Sequence, residues 1–250
     1  MLVVNIGNTN TYFRDIESGE QVFVSTHHAA FRTGHTELFS RDQNLHQIIS
    51  KSNLALIASV VPKATIIVQK LLEEQGYQVE MLDKMDTSVL DAKKFSSTLG
   101  DDRFAECYQA VKEFGGDILV IDFGTATTIN IIQNSNFVGG QILLGAQTSL
   151  NALHQMTALL PDIQLKNYDQ GQLADIPPVA TTTESNMLAG VIVGAAESIN
   201  GMTERLQQTH DYSNIVITGG NATYILPYLR IEYSYRPHLL MDGLVSIASK

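Results

Sequence analysis

The chain has 250 residues, of which 44% are hydrophobic, and it carries 26 acidic and 16 basic side chains for a formal net charge of −10. This length can bury one large core or two modest ones, and the acidic balance argues against a sequence-independent hold on nucleic acid, which needs clustered Lys and Arg. The single cysteine, Cys107, excludes an internal disulfide framework and fits a reducing compartment.

The first predicted element is a short apolar strand over residues 2–4, which leads into a turn rich in Gly, Asn and Thr over residues 5–11. The segment has no basic region, and its apolar run is only a few residues long, so neither a signal peptide nor a membrane span is predicted. We therefore expect a cytoplasmic protein with no membrane partner and, from its charge, no nucleic-acid partner.

The same design recurs almost half a chain later. Residues 118–121 form a second predicted strand, and residues 122–128 form a second turn, with a polar residue, an apolar residue, Gly and then hydroxyl-bearing residues. Strand-like sequence follows each turn, so each turn is predicted to join two antiparallel strands. The repeat indicates a duplicated domain, and we place the boundary at a glycine pair, which gives domains 1–115 and 116–250.

Between and after the two turns, apolar residues recur every three and four positions, which is the spacing of one helix face. This pattern predicts helices over residues 65–75, 103–114, 150–160 and 184–206. A buried strand is predicted over residues 214–218, directly before the pair Gly219 and Gly220. The alternation of strands and helices indicates an α/β fold.

Both turns contain residues that are suited to bind the phosphates of a nucleotide. Glycine lets the backbone approach a ligand closely, and neighbouring N–H groups and Thr hydroxyls can donate to phosphate oxygens. Asp122, at the end of the strand that feeds the second turn, can hold a cation or its water shell near a transferring phosphoryl group. One such turn alone is more often a plain hairpin, but its recurrence favours a nucleotide bound between two lobes.

A second candidate site begins at Gly100, where Asp101, Asp102 and Arg103 come directly before a predicted helix. Acids in the first turn of a helix are stabilised by its dipole, so a simple capping role is one interpretation. The other is that one carboxylate accepts the proton of an alcohol as it attacks the γ-phosphate of ATP, while Arg103 pairs with an anionic part of the acceptor. The sequence predicts a small-molecule kinase, and both interpretations of the acidic pair stay open.

With these motifs in order, the sequence resembles the type III pantothenate kinases, which are bacterial enzymes of the acetate and sugar kinase, Hsp70 and actin superfamily. The resemblance covers nearly the whole chain. Its matching segments are GNTNT at 7–11, SVVP at 59–62, GDDR at 100–103, DFGTATT at 122–128, the glycines at 139, 140 and 145, Thr183 with Gly190, TGG at 218–220 and DGL at 242–244. The implied fold is α/β, with two duplicated ribonuclease H-like (actin-like ATPase) domains and a nucleotide cleft between them.

The resemblance implies ATP-dependent phosphorylation of pantothenate to 4'-phosphopantothenate, the first step of coenzyme A biosynthesis. It assigns proton acceptance to Asp102 and the binding of a monovalent cation, K⁺ or NH4⁺, to Asp122. The implied ATP contacts are Asn5, Ile6, Gly7, Asn8, Thr9, Asn10, Thr11, Tyr12 and Thr125, and the implied pantothenate contacts are Gly100, Asp101, Asp102, Arg103 and Thr183. Mg²⁺ is expected with ATP. The family also implies a homodimer whose acceptor pocket includes residues of the partner subunit.

The sequence departs from the family in its binding segments. The family's first loop opens with Asp, whereas this chain has Asn5, which keeps the size and one acceptor oxygen but lacks the negative charge. The sequence Lys-Lys-Phe-Ser at residues 93–96 occupies the region where the family often has a Pro and an aromatic residue ahead of Gly-x-Asp-Arg, Leu144 replaces a Pro, and Thr182 replaces an Asn. Two alternatives therefore stand beside an active pantothenate kinase: a weakened or inactive relative that acts as a ligand-binding or regulatory accessory protein, and a kinase for another alcohol.

Overall fold

A computed structural model describes residues 1–27, 43–49, 52–85 and 88–250 of the chain. The chain divides into two compact units, each with its own five-stranded sheet. The first unit comprises Met1–Glu113 together with Leu239–Lys250, and the second unit comprises Phe114–His238. Across the described ranges, no helix is long and apolar enough to cross a membrane.

The sheet of the first unit has the strand order β3-β2-β1-β4-β5. Its strands are β1 (Leu2–Ile6), β2 (Asn10–Asp15), β3 (Gln21–Ser25), β4 (Leu54–Ser59) and β5 (Gln78–Met81). The pairs β1/β2 and β2/β3 are antiparallel, whereas β1/β4 and β4/β5 are parallel. In the central parallel pair Ile6 lies opposite Ser59, so β1 and β4 end side by side at one edge of the sheet.

The helices of the first unit include α1 (Gln43–Ile49), α2 (Pro62–Glu74) and α3 (Asp101–Phe114), with a 3₁₀ turn at Lys93–Phe95. Leu2, Val4 and Ile6 point to one face of the sheet because side chains alternate along a strand. They pack in a core with residues of α1 and α2, among them Leu45, Ile48, Val68 and Leu72. All five residues of β1 are buried, so both faces of this strand are covered.

The sheet of the second unit has the order β10-β9-β6-β7-β8. Its strands are β6 (Ile118–Phe123), β7 (Ala126–Gln133), β8 (Asn136–Leu144), β9 (Asn214–Thr218) and β10 (Ser234–Tyr235). Each strand from β6 to β10 occupies the position, and has the pairing direction, of its counterpart from β1 to β5. The predicted α/β fold with a duplicated design is therefore confirmed.

The helices of the second unit are α4 (Ala146–Met156), α5 (Thr183–Leu188), α6 (Gly194–Gln207) and α7 (Ala222–Ile225), with a π-helical turn at Ala189–Val193 and 3₁₀ turns at Leu165–Asn167, Gln170–Leu173 and Leu226–Tyr228. The helix predicted over 184–206 is present as one uninterrupted helical run from 183 to 207, in which the π turn lies between α5 and α6 and the junction residues keep helical backbone angles. The helix expected to end at residue 160 ends at Met156, because Thr157 is extended and its hydroxyl donates to Leu153 O.

The last helix, α8 (Leu239–Ala248), belongs to the first unit although it follows the second in sequence. The sequence-based boundary after residue 115 lies close to the observed division between Glu113 and Phe114, but the domain drawn as 116–250 includes this helix. Packing explains the difference, because a Cβ at Gly243 would overlap Ala105 O on α3. An amphipathic pattern does not specify which of two similar sheets a helix will cover.

Candidate active site

The first Gly turn connects β1 to β2 and is braced from β3. The N–H of Gly7 donates to Asn10 O at 3.0 Å, and Gly7 O accepts the hydroxyl of Thr26 at 2.7 Å. The hydroxyls of Thr26 and Thr11 are also within hydrogen-bond distance, at 3.0 Å. These contacts fix the base of the turn, while Asn8 at its tip is exposed.

Asn5 is buried at the end of β1, with only 4% of its surface exposed. It lies opposite Tyr12 on β2 and Ala58 on β4, and its Nδ2 is 3.7 Å from the position that a Cβ on Gly7 would take. Within the described part of the chain, no hydrogen bond of its side-chain amide is found. The amide therefore lies at the base of the first turn.

The first unit brings the first turn and the start of α3 to the same edge of its sheet. The N–H of Ser59, at the end of β4, donates to Asp101 Oδ2 at 2.9 Å. The N–H of Val60 donates to Ile6 O at 3.1 Å, so the chain after β4 runs beside the end of β1. Two motifs that are far apart in sequence, residues 5–11 and 100–103, thus lie near neighbouring strand ends.

Asp102 is half-buried, and its carboxylate is oriented by the backbone around it. Oδ1 accepts the N–H of Arg103 at 2.8 Å, and a Cβ on Gly100 would lie only 2.5 Å from the same oxygen. Burial raises the pKa of Asp102, the N–H and the charge of Arg103 lower it, and the charge of Asp101 raises it again. A carboxylate with a raised pKa is a better proton acceptor than an ordinary Asp.

The two acids of this motif have different surroundings. Asp101 uses Oδ2 for the N–H of Ser59, and its Oδ1 is 2.9 Å from Nζ of Lys84. Its carboxylate is thus engaged inside the protein, as a capping and bridging group. Asp101 therefore fits the capping interpretation, whereas the Asp102 carboxylate accepts one backbone N–H and has a raised pKa.

In the second unit, Asp122 is enclosed by two glycines. A Cβ on Gly219 would overlap Oδ1 of Asp122 and the N–H of Phe123, and a Cβ on Gly124 would lie 2.9 Å from Oδ2. Gly219 also has φ of +101°, a backbone conformation that favours glycine. Of the pair Gly219 and Gly220, only the first is so close to Asp122 that an added Cβ would meet its carboxylate. Carboxylate oxygen is a suitable ligand for a hard cation such as K⁺.

The second turn is braced by Gly145, Thr148 and Asn221, of which the sequence motifs included only Gly145. Thr125 O accepts the N–H of Gly145 at 3.1 Å and the hydroxyl of Thr148 at 2.6 Å. Gly124 O accepts Nδ2 of Asn221 at 3.1 Å. Hydroxyl residues are common in the first turn of a helix, and Asn is common after glycine. The local sequence around Thr148 and Asn221 therefore does not indicate that they contact the second turn.

Thr183 is the first residue of α5 in the second unit, and its side chain is exposed. The preceding Thr182 caps the helix, since its hydroxyl accepts the N–H of Ser185 at 3.1 Å. The Asn that the family commonly has at this position would be an equally good cap, so the departure at 182 leaves the helix start intact. Among the described residues, no group of three or more His, Cys, Asp or Glu side chains could hold a metal ion.

Comparison with known proteins assigns the chain to a family. The sequence profile of the type III pantothenate kinases matches residues 1–205. The chain is 30% identical over 264 aligned residues to the type III pantothenate kinase of Thermus thermophilus, covering 99% of this chain and 98% of that protein. It is 27% identical over 205 residues to the type III pantothenate kinase of Petrotoga mobilis, covering 79% and 76% of the two chains.

Solved structures with low sequence identity show the same fold. A Campylobacter jejuni protein assigned to the Baf family of transcriptional activators superposes with a TM-score of 0.61 at 19% identity, covering 100% of this chain and 98% of that one. Component A of (R)-2-hydroxyglutaryl-CoA dehydratase from Acidaminococcus fermentans gives a TM-score of 0.55 at 14% identity, with coverage of 99% and 95%. These likenesses agree with the duplicated sheets, and the family match is specific: the chain belongs to the type III pantothenate kinase family.

Proposed function

We propose that the protein transfers the γ-phosphoryl group of ATP to pantothenate, giving 4'-phosphopantothenate and ADP as the first step of coenzyme A biosynthesis. The observation that carries the proposal is the surroundings of Asp102. Its carboxylate has a raised pKa and accepts the N–H of Arg103. Asp102 follows the residue that contacts the end of β4, beside the point where β1 ends and the first Gly turn begins. Family membership supplies the substrate, since the relatives are named for pantothenate.

In the proposed reaction, Asp102 accepts the proton of the pantothenate hydroxyl. The hydroxyl oxygen forms a bond to the γ-phosphorus, and the bond from that phosphorus to the β-γ bridging oxygen breaks, so that ADP leaves. The guanidinium of Arg103 pairs with the carboxylate of pantothenate, because its planar fork matches a carboxylate well. Gly100, Asp101 and Thr183 are the further proposed contacts of pantothenate, and the contribution of Asp101 is through its backbone since its carboxylate is engaged by Ser59 and Lys84.

ATP is proposed to contact both Gly turns. The contacts are Asn5, Ile6, Gly7, Asn8, Thr9, Asn10, Thr11 and Tyr12 of the first turn and its flanks, and Thr125 of the second turn. The support is chemical: backbone N–H groups next to glycine, and Thr hydroxyls, are good donors to phosphate oxygens. The bracing of Gly7 by Asn10 and Thr26 keeps the first turn preorganised for such contacts.

Asp122 is the proposed ligand of a monovalent cation, K⁺ or NH4⁺. The glycines at 124 and 219 leave the carboxylate in a cradle that larger residues would fill, and its oxygens fit a hard cation. Such a cation supplies positive charge near the phosphates of ATP, and Mg²⁺ enters with the nucleotide. We further propose, on the family resemblance alone, that the protein acts in the cytoplasm as a homodimer.

The proposal is tested by measuring ADP release that depends on pantothenate, with ample ATP, Mg²⁺ and K⁺. The Asp102→Ala variant is the control, since it retains every residue proposed to contact ATP. Turnover well above that of the control is the expected result. Turnover equal to the control with pantothenate would overturn the proposal, and a panel of other alcohols in the same assay identifies a kinase of different specificity. Nucleotide binding without turnover on any acceptor would instead support a non-catalytic relative.

A further inference from the structure

Lys84, which no motif includes, makes two close contacts at the start of α3. Its Nζ lies 2.9 Å from Oδ1 of Asp101 and donates to Leu99 O at 2.7 Å. Both charged side chains are largely shielded, with 18% of Lys84 and 14% of Asp101 exposed. Lys84 therefore bridges the residues just before α3 and the first residue of the helix itself.

Asp101 extends this bridge to the sheet. Its second carboxylate oxygen accepts the N–H of Ser59, and Ser59 is held in turn by its own hydroxyl. That hydroxyl accepts the N–H of Val61 at 3.1 Å and the hydroxyl of Thr65 at 2.6 Å. A continuous set of contacts thus leads from Lys84 through Asp101 to the end of β4, which lies beside the end of β1.

The contacts of Lys84 indicate that it determines the orientation of the Asp101 carboxylate. An Asp at the first position of a helix is already stabilised by the helix dipole and by backbone N–H groups, so it needs no lysine to remain charged. A Lys side chain loses considerable rotamer freedom when it is fixed, and here it is fixed by both a carboxylate and a carbonyl. Its contacts determine which way the Asp101 carboxylate points and how closely the helix start approaches β4.

We propose that Lys84 is a positioning residue for the acceptor motif. Through Asp101 it holds the start of α3 against the end of β4, and it thereby fixes Asp102 and Arg103 relative to the first Gly turn. Asp101 occupies the variable position of Gly-x-Asp-Arg, so this ion pair is a property of this chain's own residues. The inference rests on the proposed function, because Asp102 and Arg103 are the groups that act on the acceptor.

A kinetic test uses the Lys84→Met variant, which keeps most of the length of the side chain and removes its charge. We expect kcat/KM for pantothenate to fall by about 10- to 100-fold, since small misplacements of a reacting group have effects of this size. The KM for ATP should change little, because the ATP contacts are on other elements. Lys70→Met is the matched control: Lys70 pairs with Glu74 on the exposed surface of α2, and its loss should leave both constants unchanged.

The Asp101→Asn variant and the double variant Lys84→Met/Asp101→Asn show whether the two residues act together. If they do, the double variant is no slower than the worse single variant, because either change alone breaks the ion pair. Multiplicative losses, or a Lys84→Met variant with the constants of Lys70→Met, overturn the inference. Partial recovery of kcat/KM in Lys84→Arg, which restores the charge, is expected.

Hydrogen exchange gives a readout that does not depend on turnover. The N–H of Ser59 is held by the Asp101 carboxylate, so Lys84→Met should accelerate its exchange relative to Ile57 in the same strand, towards the rate found in Asp101→Ala. An unchanged ratio of the two rates overturns the inference. If wild-type protein has no turnover, the proposed function fails, and this exchange measurement still decides whether Lys84 holds the start of α3.

Discussion

Nη1 of Arg14 donates to Oδ1 of Asp242 at 2.9 Å, although the two residues are 228 positions apart in sequence. Arg14 lies opposite Val3 in the β1/β2 pair, so the bond connects α8 to the face of the sheet that carries Val3. Both side chains are partly exposed, and such pairs contribute little to stability, typically up to about 1 kcal/mol. The attachment of α8 therefore depends mainly on its buried residues, which are Leu239, Met241, Gly243 and Leu244.

The Gly243→Ala variant tests this attachment. The added methyl group would overlap Ala105 O, so we expect a loss of stability of about 1–3 kcal/mol, as in other overpacked interiors. The Gly201→Ala variant is the control: Gly201 is exposed in α6, has no atom within 4 Å of its added Cβ, and should become slightly more stable. Urea unfolding of both variants is the measurement. Equal midpoints for Gly243→Ala and wild type would contradict the prediction.

The Gly219→Ala variant tests the cradle around Asp122. Its methyl group would overlap the Asp122 carboxylate at a residue with positive φ. We therefore expect lower stability and weaker activation of the reaction by K⁺. Gly220→Ala provides a neighbouring control, because no atom lies within 4 Å of its added Cβ. Thermal unfolding and a K⁺ titration of kcat/KM compare the two. Similar behaviour of the two variants would show that the contact with Asp122 is unimportant.

The Asp102→Asn variant should lose activity and gain stability. Turnover is expected to fall by about 10²- to 10⁴-fold, the usual contribution of a general base. Because burial raises the pKa of Asp102 in the folded protein, the group favours folding at low pH, and that contribution is lost as pH rises through the folded pKa. The amide of Asn does not ionise. The melting temperature of the Asp102→Asn variant should therefore exceed that of wild type at pH 7, by a difference that decreases towards pH 4.

The same raised pKa predicts the pH dependence of the reaction. Activity should decline on the acid side through a pKa above the ordinary value for Asp, as Asp102 becomes protonated. The charge of Asp101 is one cause of the increase, so Asp101→Asn should move this acid limb to lower pH. The profile of kcat/KM against pH, measured for both proteins at saturating ATP, is the check. A decline that occurs at higher pH in Asp101→Asn than in wild type would be inconsistent with that electrostatic cause.

The Asn5→Asp variant restores the charge that the family usually has in its first loop. We expect higher kcat/KM with Mg²⁺ and ATP, because the carboxylate can hold a cation or its water where the amide cannot. Asn5 is only 4% exposed, so the new charge should lower stability in the absence of ligand, and Mg²⁺ with ATP should recover it. Activity assays and melting temperatures with and without nucleotide test both effects, with Asn5→Ala as the control. An unchanged or lower rate would show that the missing charge is tolerated by another arrangement.

The duplicated fold could be predicted because its signal is local and occurs twice. A strand, a polar residue and a Gly-rich turn recur at Asn5 and Asp122, and the two sheets have the same strand order. The family was recognised from the same motifs, and the comparisons confirm it. The assignments of individual site residues to ATP, pantothenate and a cation stay predictions.

Other features depend on contacts between residues that are distant in sequence, and local patterns do not encode them. Nothing in the vicinity of Lys84 indicates that it will meet Asp101, and nothing in the pair Gly219 and Gly220 shows that only the first approaches Asp122. The π turn at Ala189–Val193 is equally invisible, because one extra residue in a helical repeat hardly changes the apolar spacing.

The position of α8 has a consequence for how the protein is made. On the ribosome, residues 114–238 emerge complete while the first unit still lacks the helix that packs on β1 and β4. The second unit can therefore finish folding first, since domains generally fold as units during synthesis. Until residues 239–248 emerge, the face of the first sheet that carries the Val3 side chain is not covered by α8. The half of the protein that is translated first is thus the half that is completed last.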